Sequence, residues 1–120
     1  MIQNYGDEML KIKNNRLYIT QGDTLNLKVN LRNSDGSIYE MNDTDTLTYV
    51  IRKDDIKLLG TIKGSNKFTI QANKMDTLIP GRYQMEITLK TADSQSYTVF
   101  GITGEDDYNL IIYPLIANKG

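Results

Sequence analysis

The 120-residue chain contains no cysteine and no histidine. Without cysteine there are no disulfides, no thiolate catalysis and no cysteine-based zinc site. Without histidine the usual general base near neutral pH and the commonest transition-metal ligand are both missing. A Ser-His-Asp or Cys-His apparatus cannot be assembled from these residues. Tryptophan is also absent, and phenylalanine occurs twice against eight tyrosines. One charge sign does not dominate: 14 basic against 15 acidic residues leave a net charge of -1. The two signs are interspersed, so there is no electrostatic case for nucleic acid or an anionic membrane as partner. No apolar run is long enough to span a bilayer, and "MIQNYGDEMLKIKNN" lacks the continuous apolar core of a signal peptide. Freedom from cysteine fits a reducing cytoplasm, and equally fits particles assembled there and released later.

What is present is alternation. In "TLIPGRYQMEITL" (77–89), Tyr83, Met85, Ile87 and Leu89 alternate with Arg82, Gln84, Glu86 and Thr88. A period of two with one apolar face marks a half-buried strand. The pattern recurs with Leu17 and Ile19, with Leu25, Leu27, Val29 and Leu31, and with Leu47, Tyr49 and Ile51. Phe68 with Ile70 and Tyr97 with Val99 continue it, and "YNLIIYPLI" (108–116) is apolar on both sides. Turn residues divide these runs at "QGDT", "NSDGS", "NDTD", "KGSN", "TADS" and "GITGEDD". Turn signals every ~8–12 residues are the rhythm of an all-β sandwich. The expectation is one domain over 1–120, an immunoglobulin-like antiparallel β-sandwich of about seven to nine short strands. "NKMDTL" (73–78) is the one place for a helical turn, with Met75 and Leu78 on one side to plug an open end.

The lead-in Leu78, Pro80, Gly81 carries a more specific expectation. Pro80 fixes φ and donates to no ladder, and Gly81 permits a positive φ, so the chain makes a sharp approach to its strand. In immunoglobulin-like sandwiches a tyrosine near the start of the strand after such a crossing bonds back to upstream backbone, and Tyr83 stands there. Met85, two residues on, takes the position where antibody domains carry a disulfide cysteine, with Leu27 and Tyr49 as packing partners. These seven residues are the expected structural site.

Carboxylates are the remaining acid–base groups, at Asp23, Asp43 with Asp45, Asp54 with Asp55, and Glu105, Asp106 and Asp107. None has the spacing of an EF-hand loop, and aspartate in turns is explained by local hydrogen bonding and solvation. "GSN" and "GDT" lack the Gly-x-x-x-x-Gly-Lys pattern of a phosphate loop. The expectation is a non-enzyme with no cofactor, no metal and no catalytic residue.

With those residues in view, "QGDTLNLKVNL" (21–31), "DTDTLTYVIRK" (43–53), "TLIPGRY" (77–83) followed by "QMEI", and "YTVF" (97–100) resemble a known family. It is the N-terminal domain of upper baseplate proteins in tailed phages of Gram-positive bacteria. The pieces come in the family's order and cover most of residues 15–113. The resemblance implies an immunoglobulin-like sandwich, located in the virion after assembly in the host cytoplasm, that attaches receptor-binding proteins to the tail. Its partners would be other tail and baseplate proteins, and a homo-oligomer is a further expectation. The sequence departs from the family at "VFGITGEDD", where a proline is usual.

The residues themselves add a candidate interface: Leu110, Ile111, Ile112, Tyr113, Leu115 and Ile116, or else a terminal strand of the domain's own sheet. A sandwich with exposed strand edges needs partners or protection for them. An alternative from another class is a carbohydrate-binding or adhesin-type sandwich in which Tyr39, Tyr108 or Tyr113 stacks on sugar rings. A fibronectin-III-like interaction domain and a small glycosidase rank below these.

Overall fold

The computed structural model describes residues 2–4, 11–13, 16–102, 104 and 107–114. Strands β1 (Ile2–Asn4), β4 (Leu25–Val29) and β7 (Lys67–Ile70) form a small antiparallel sheet in the order β1-β4-β7. A larger sheet runs β2 (Lys11–Lys13), β3 (Arg16–Thr20), β10 (Leu110–Tyr113), β8 (Gly81–Lys90), β5 (Thr46–Lys53) and β6 (Ile56–Lys63). Its seventh strand, β9 (Ser96–Phe100), also pairs with β8. The protein is an all-β sandwich.

Two details correct the expectation. Ten strands form among the described residues rather than seven to nine. The sandwich is also not wholly antiparallel, because β3 and β10 run parallel, Leu110 beside Leu17 and Ile112 beside Ile19. The early strand and the last strand lie side by side in the same direction, which makes the larger sheet mixed.

The alternating residues fill the space between the sheets. Leu17, Leu25, Leu27, Val29, Leu47, Ile51, Tyr83 and Ile87 are all fully buried. Phe68 on β7 stacks against Tyr49 on β5, ring centroids 5.4 Å apart and planes 2° from parallel, so one aromatic pair links the two sheets. Such a pair adds about 0.5–1.5 kcal/mol beyond its buried area. Gly60 on β6 makes room for it: a β-carbon there would stand 2.6 Å from the Tyr49 hydroxyl oxygen.

The approach to β8 explains how one end closes. Residues Ala72–Met75 form a single helical turn, α1, and Met75 and Leu78 are each 1% exposed. Gly81 has φ +150°, a value that L side chains rarely adopt. Two residues later the buried Tyr83 hydroxyl donates to the Ile79 carbonyl at 2.6 Å, and burial raises the phenol's pKa.

Along its far edge β8 is served by two strands in succession. β9 pairs as far as Ile87 beside Phe100, and β10 resumes with Leu110 beside Tyr83. Met85 falls in the gap, and a side chain completes the ladder there. The Met85 N–H donates to Asn109 Oδ1 at 2.6 Å, and Asn109 Nδ2 donates to the Met85 carbonyl at 2.8 Å. The Asn109 backbone is used as well, its N–H on the Tyr83 carbonyl and its carbonyl accepting from Leu17 N–H. A carboxamide has the donor and acceptor of a peptide group, and here it substitutes for one.

Candidate functional site

The seven residues expected to be structural come together around β8. Leu27, Tyr49, Leu78, Tyr83 and Met85 are buried, while Pro80 and Gly81 are half-buried at the crossing. Of the candidate interface, Leu110 and Ile112 are 0% and 2% exposed and belong to the core. They face the core because β10 lies between β3 and β8 and turns alternate residues inward. Ile111 is half-buried and Tyr113 is 51% exposed, both on the outward phase of the strand. Leu115 and Ile116 lie outside the described residues.

The outward face of this part of the sheet is aromatic and basic. Tyr18 sits beside Ile111, which sits beside Arg82. Tyr18 and Tyr113 stack with centroids 6.3 Å apart. Beside β3 and β8, the guanidinium carbons of Arg16 and Arg82 lie 4.2 and 4.6 Å from the centre of the Tyr108 ring, a cation–π arrangement. Arg16 also donates to the Tyr108 carbonyl and to Asp107 Oδ1 at 3.0 Å. The Tyr108 amide and then Arg16 hold the Asp107 carboxyl below its usual range. Arg52, Lys53 and Gln84 extend the patch around a depression of about 440 Å³.

A second feature lies at the far end of β8. The segment 30–45 and the turn 91–95 enclose an open cavity of about 880 Å³. Asp45 lines it and is itself 1% exposed. Its Oδ2 accepts from the Tyr39 hydroxyl at 2.5 Å and from the Asn42 amide at 3.0 Å. Its Oδ1 is buried and has no hydrogen-bond donor. The Tyr39 hydroxyl, then the amides of Asn42 and Ala92, lower the carboxyl's pKa, though Ala92 does not meet the geometry of a bond to Oδ1. The same contact raises the Tyr39 phenol. Tyr97, expected inward with Val99, is 51% exposed on this cavity. A bulge in the β8–β9 pairing, between Ile87 and Thr88, shifts the phase so that Phe100 takes the core position and Val99 is only half-buried.

Two residues of consequence escaped sequence reasoning. Asp45 reads as a solvated turn carboxylate, yet it shares parity with Leu47, Tyr49 and Ile51 and so belongs to the inward phase of β5. That parity was the available signal. Asn109 gave none, since its role depends on the break in pairing along β8 between Ile87 and Tyr83. Among the described residues no group of three or more carboxylates gathers to hold a metal ion, and no helix is long and apolar enough to cross a membrane.

No family model, curated protein or solved structure matches the chain.

Proposed function

We propose that the protein is a non-enzymatic structural module that works through protein–protein contacts, attaching receptor-binding components to the tail of a phage or prophage particle. The observation that carries the contact role is the outward face of β3 and β10. Tyr18, Ile111 and an exposed Tyr113 form an aromatic and aliphatic strip there, flanked by the arginines over Tyr108. Aromatic residues and arginine are the types enriched where proteins bind one another. The baseplate part of the reading is supported by the resemblance of residues 21–31, 43–53, 77–83 and 97–100 to upper baseplate domains.

The immunoglobulin-like form of the sandwich belongs to the same reading. It is supported by the sheet orders β1-β4-β7 and β3-β10-β8-β5-β6, and by the Tyr83 hydroxyl bonding back to Ile79 at the start of β8. The partners on this reading are tail and baseplate proteins, with a receptor-binding protein among them, and the site of action is the virion.

The test is co-expression with the products of neighbouring genes, followed by capture and light scattering. A stable complex that Tyr113→Asp abolishes, without loss of fold by circular dichroism, supports the reading. Capture that is indifferent to Tyr113→Asp and Ile111→Asp together sinks the contact surface. Neighbouring genes for polysaccharide utilisation rather than tail assembly sink the baseplate role. Homo-oligomerisation is checked on the same instrument, and a monomer at high concentration that is unchanged by deleting residues 114–120 rules it out.

A further inference from the structure

We propose that the cavity at the open end of the sandwich binds a saccharide unit, with Tyr39 and Tyr97 supplying aromatic surface and the Asp45 carboxylate receiving a sugar hydroxyl. This goes beyond the tail-attachment reading and uses a different surface from the Tyr18–Tyr113 strip. At about 880 Å³ the cavity lies within the range of small-ligand sites. Its lining combines the two tyrosines with the polar side chains of Asn42, Asp45, Asp93 and Gln95. A sugar ring has apolar C–H faces that pack on aromatic rings and a rim of hydroxyls that each both donate and accept. Carboxamides and carboxylates match that rim.

Asp45 is the reason to read the cavity as built for a ligand. Buried carboxylate oxygens are normally hydrogen-bonded, and leaving one without a donor is costly. Asp45 Oδ1 is such an oxygen, in a cavity wall, while Oδ2 is fixed by Tyr39 and Asn42. The acceptor is thus held in place on the first residue before β5 and lacks one proton donor. A sugar hydroxyl reaching Oδ1 supplies that donor, with no charge to bury. Two carboxylates, Asp45 and Asp93, line the cavity against one cation, Arg32. That balance disfavours phosphorylated or otherwise anionic ligands. Asp45 already takes two neutral hydrogen bonds and Arg32 stands nearby, so a cationic ligand gains less than in a bare acidic cage.

The experiment is an NMR titration of the full chain, following backbone amides. The probes are glucose, galactose, N-acetylglucosamine, maltose and chitobiose, with tetramethylammonium chloride as the cationic arm. At least one saccharide is expected to shift the amides of residues 42–45 and 92–99 saturably. Tyr97→Ala is expected to weaken that binding at least tenfold while leaving the rest of the spectrum native. Tyr108→Ala is expected to leave it unchanged. The proposal is overturned if no saccharide shifts these amides at about 50 mM, where a ligand of Kd about 1 mM is saturated. It is equally overturned if tetramethylammonium alone binds, if the shifts fall around Tyr108 or Tyr113 instead, or if Tyr97→Ala binds as the parent does.

Discussion

The two ends of β8 begin from the same sheets and the same alternation, and they finish differently. At the end beginning with Gly81, the link from β7 folds into α1 and lowers Met75 and Leu78 between the sheets, and the Tyr83 hydroxyl ties the crossing down. At the end finishing with Lys90, segment 30–45 buries Leu31 in the core and packs Tyr39 and Met41 only partly against it, and a cavity remains with a carboxylate oxygen lacking a donor in its wall. The strands do not cause this difference. The connections do, according to how completely they bury apolar residues in the sandwich: Met75 and Leu78 at one end, Leu31 with half-covered Tyr39 and Met41 at the other. One end is therefore sealed by apolar side chains, and the other keeps polar and aromatic side chains on an open cavity.

The largest effect should come from opening the closed end. Leu78→Ala removes a fully buried side chain from the plug and should cost about 2–5 kcal/mol, read as a lower urea midpoint at an unchanged slope. A loss below about 0.5 kcal/mol, the level of ordinary surface changes, would mean that the plug is dispensable and the contrast between the ends is misplaced. Next comes the junction between β9 and β10. Asn109→Ala leaves the buried N–H and carbonyl of Met85 without partners and should cost about 2–4 kcal/mol. Amide exchange at Met85 should accelerate more than at Ile51, its neighbour across the β5 pairing. Equal acceleration at both would show global destabilisation rather than a local loss.

Much of the closed end was legible in the sequence. Alternation identified β3, β4, β5, β7 and β8 with their inward residues, and Pro80-Gly81 before Tyr83 announced the crossing. The strand β6 was not legible, because Leu58 and Leu59 are adjacent and Gly60 interrupts the apolar phase. Its glycine is explained only by Tyr49 on the neighbouring strand, a contact that local pattern does not contain. Of the two readings of 110–116, a partner surface or a strand of the domain's own sheet, Leu110 and Ile112 follow the second. An apolar run looks alike whether it will cover a partner or lie between two strands of its own sheet. The open end was the least legible, since a cavity is made by what segments 30–45 and 91–99 fail to fill.

Smaller changes probe the two ends more finely. Tyr83→Phe keeps the ring and removes the bond to Ile79, so it should cost about 1 kcal/mol, visible in thermal melts. At the open end the corresponding contact is charged and titrates. The Asp45 carboxyl has a folded pKa below its ordinary 3.8, caused first by the Tyr39 hydroxyl. A depressed carboxyl pKa means that the folded state binds its proton less readily than the unfolded state. The stabilisation is therefore fully present above the ordinary value and is lost as pH falls through the folded one. Comparing the parent with Asp45→Asn from pH 6 to pH 2 should show a stability difference that shrinks below about pH 4. A difference constant across that range would mean that Asp45 does not titrate as an ion held by Tyr39.

The smallest expected effect is the one that separates the two roles most cleanly. Tyr97 is 51% exposed and contributes little to the packed interior, so Tyr97→Ala should change stability by no more than about 0.5 kcal/mol. If the variant melts several degrees lower, Tyr97 belongs to the fold and the open end is simply a looser version of the closed one. If stability holds while saccharide binding falls, the ends differ in purpose as well as in packing.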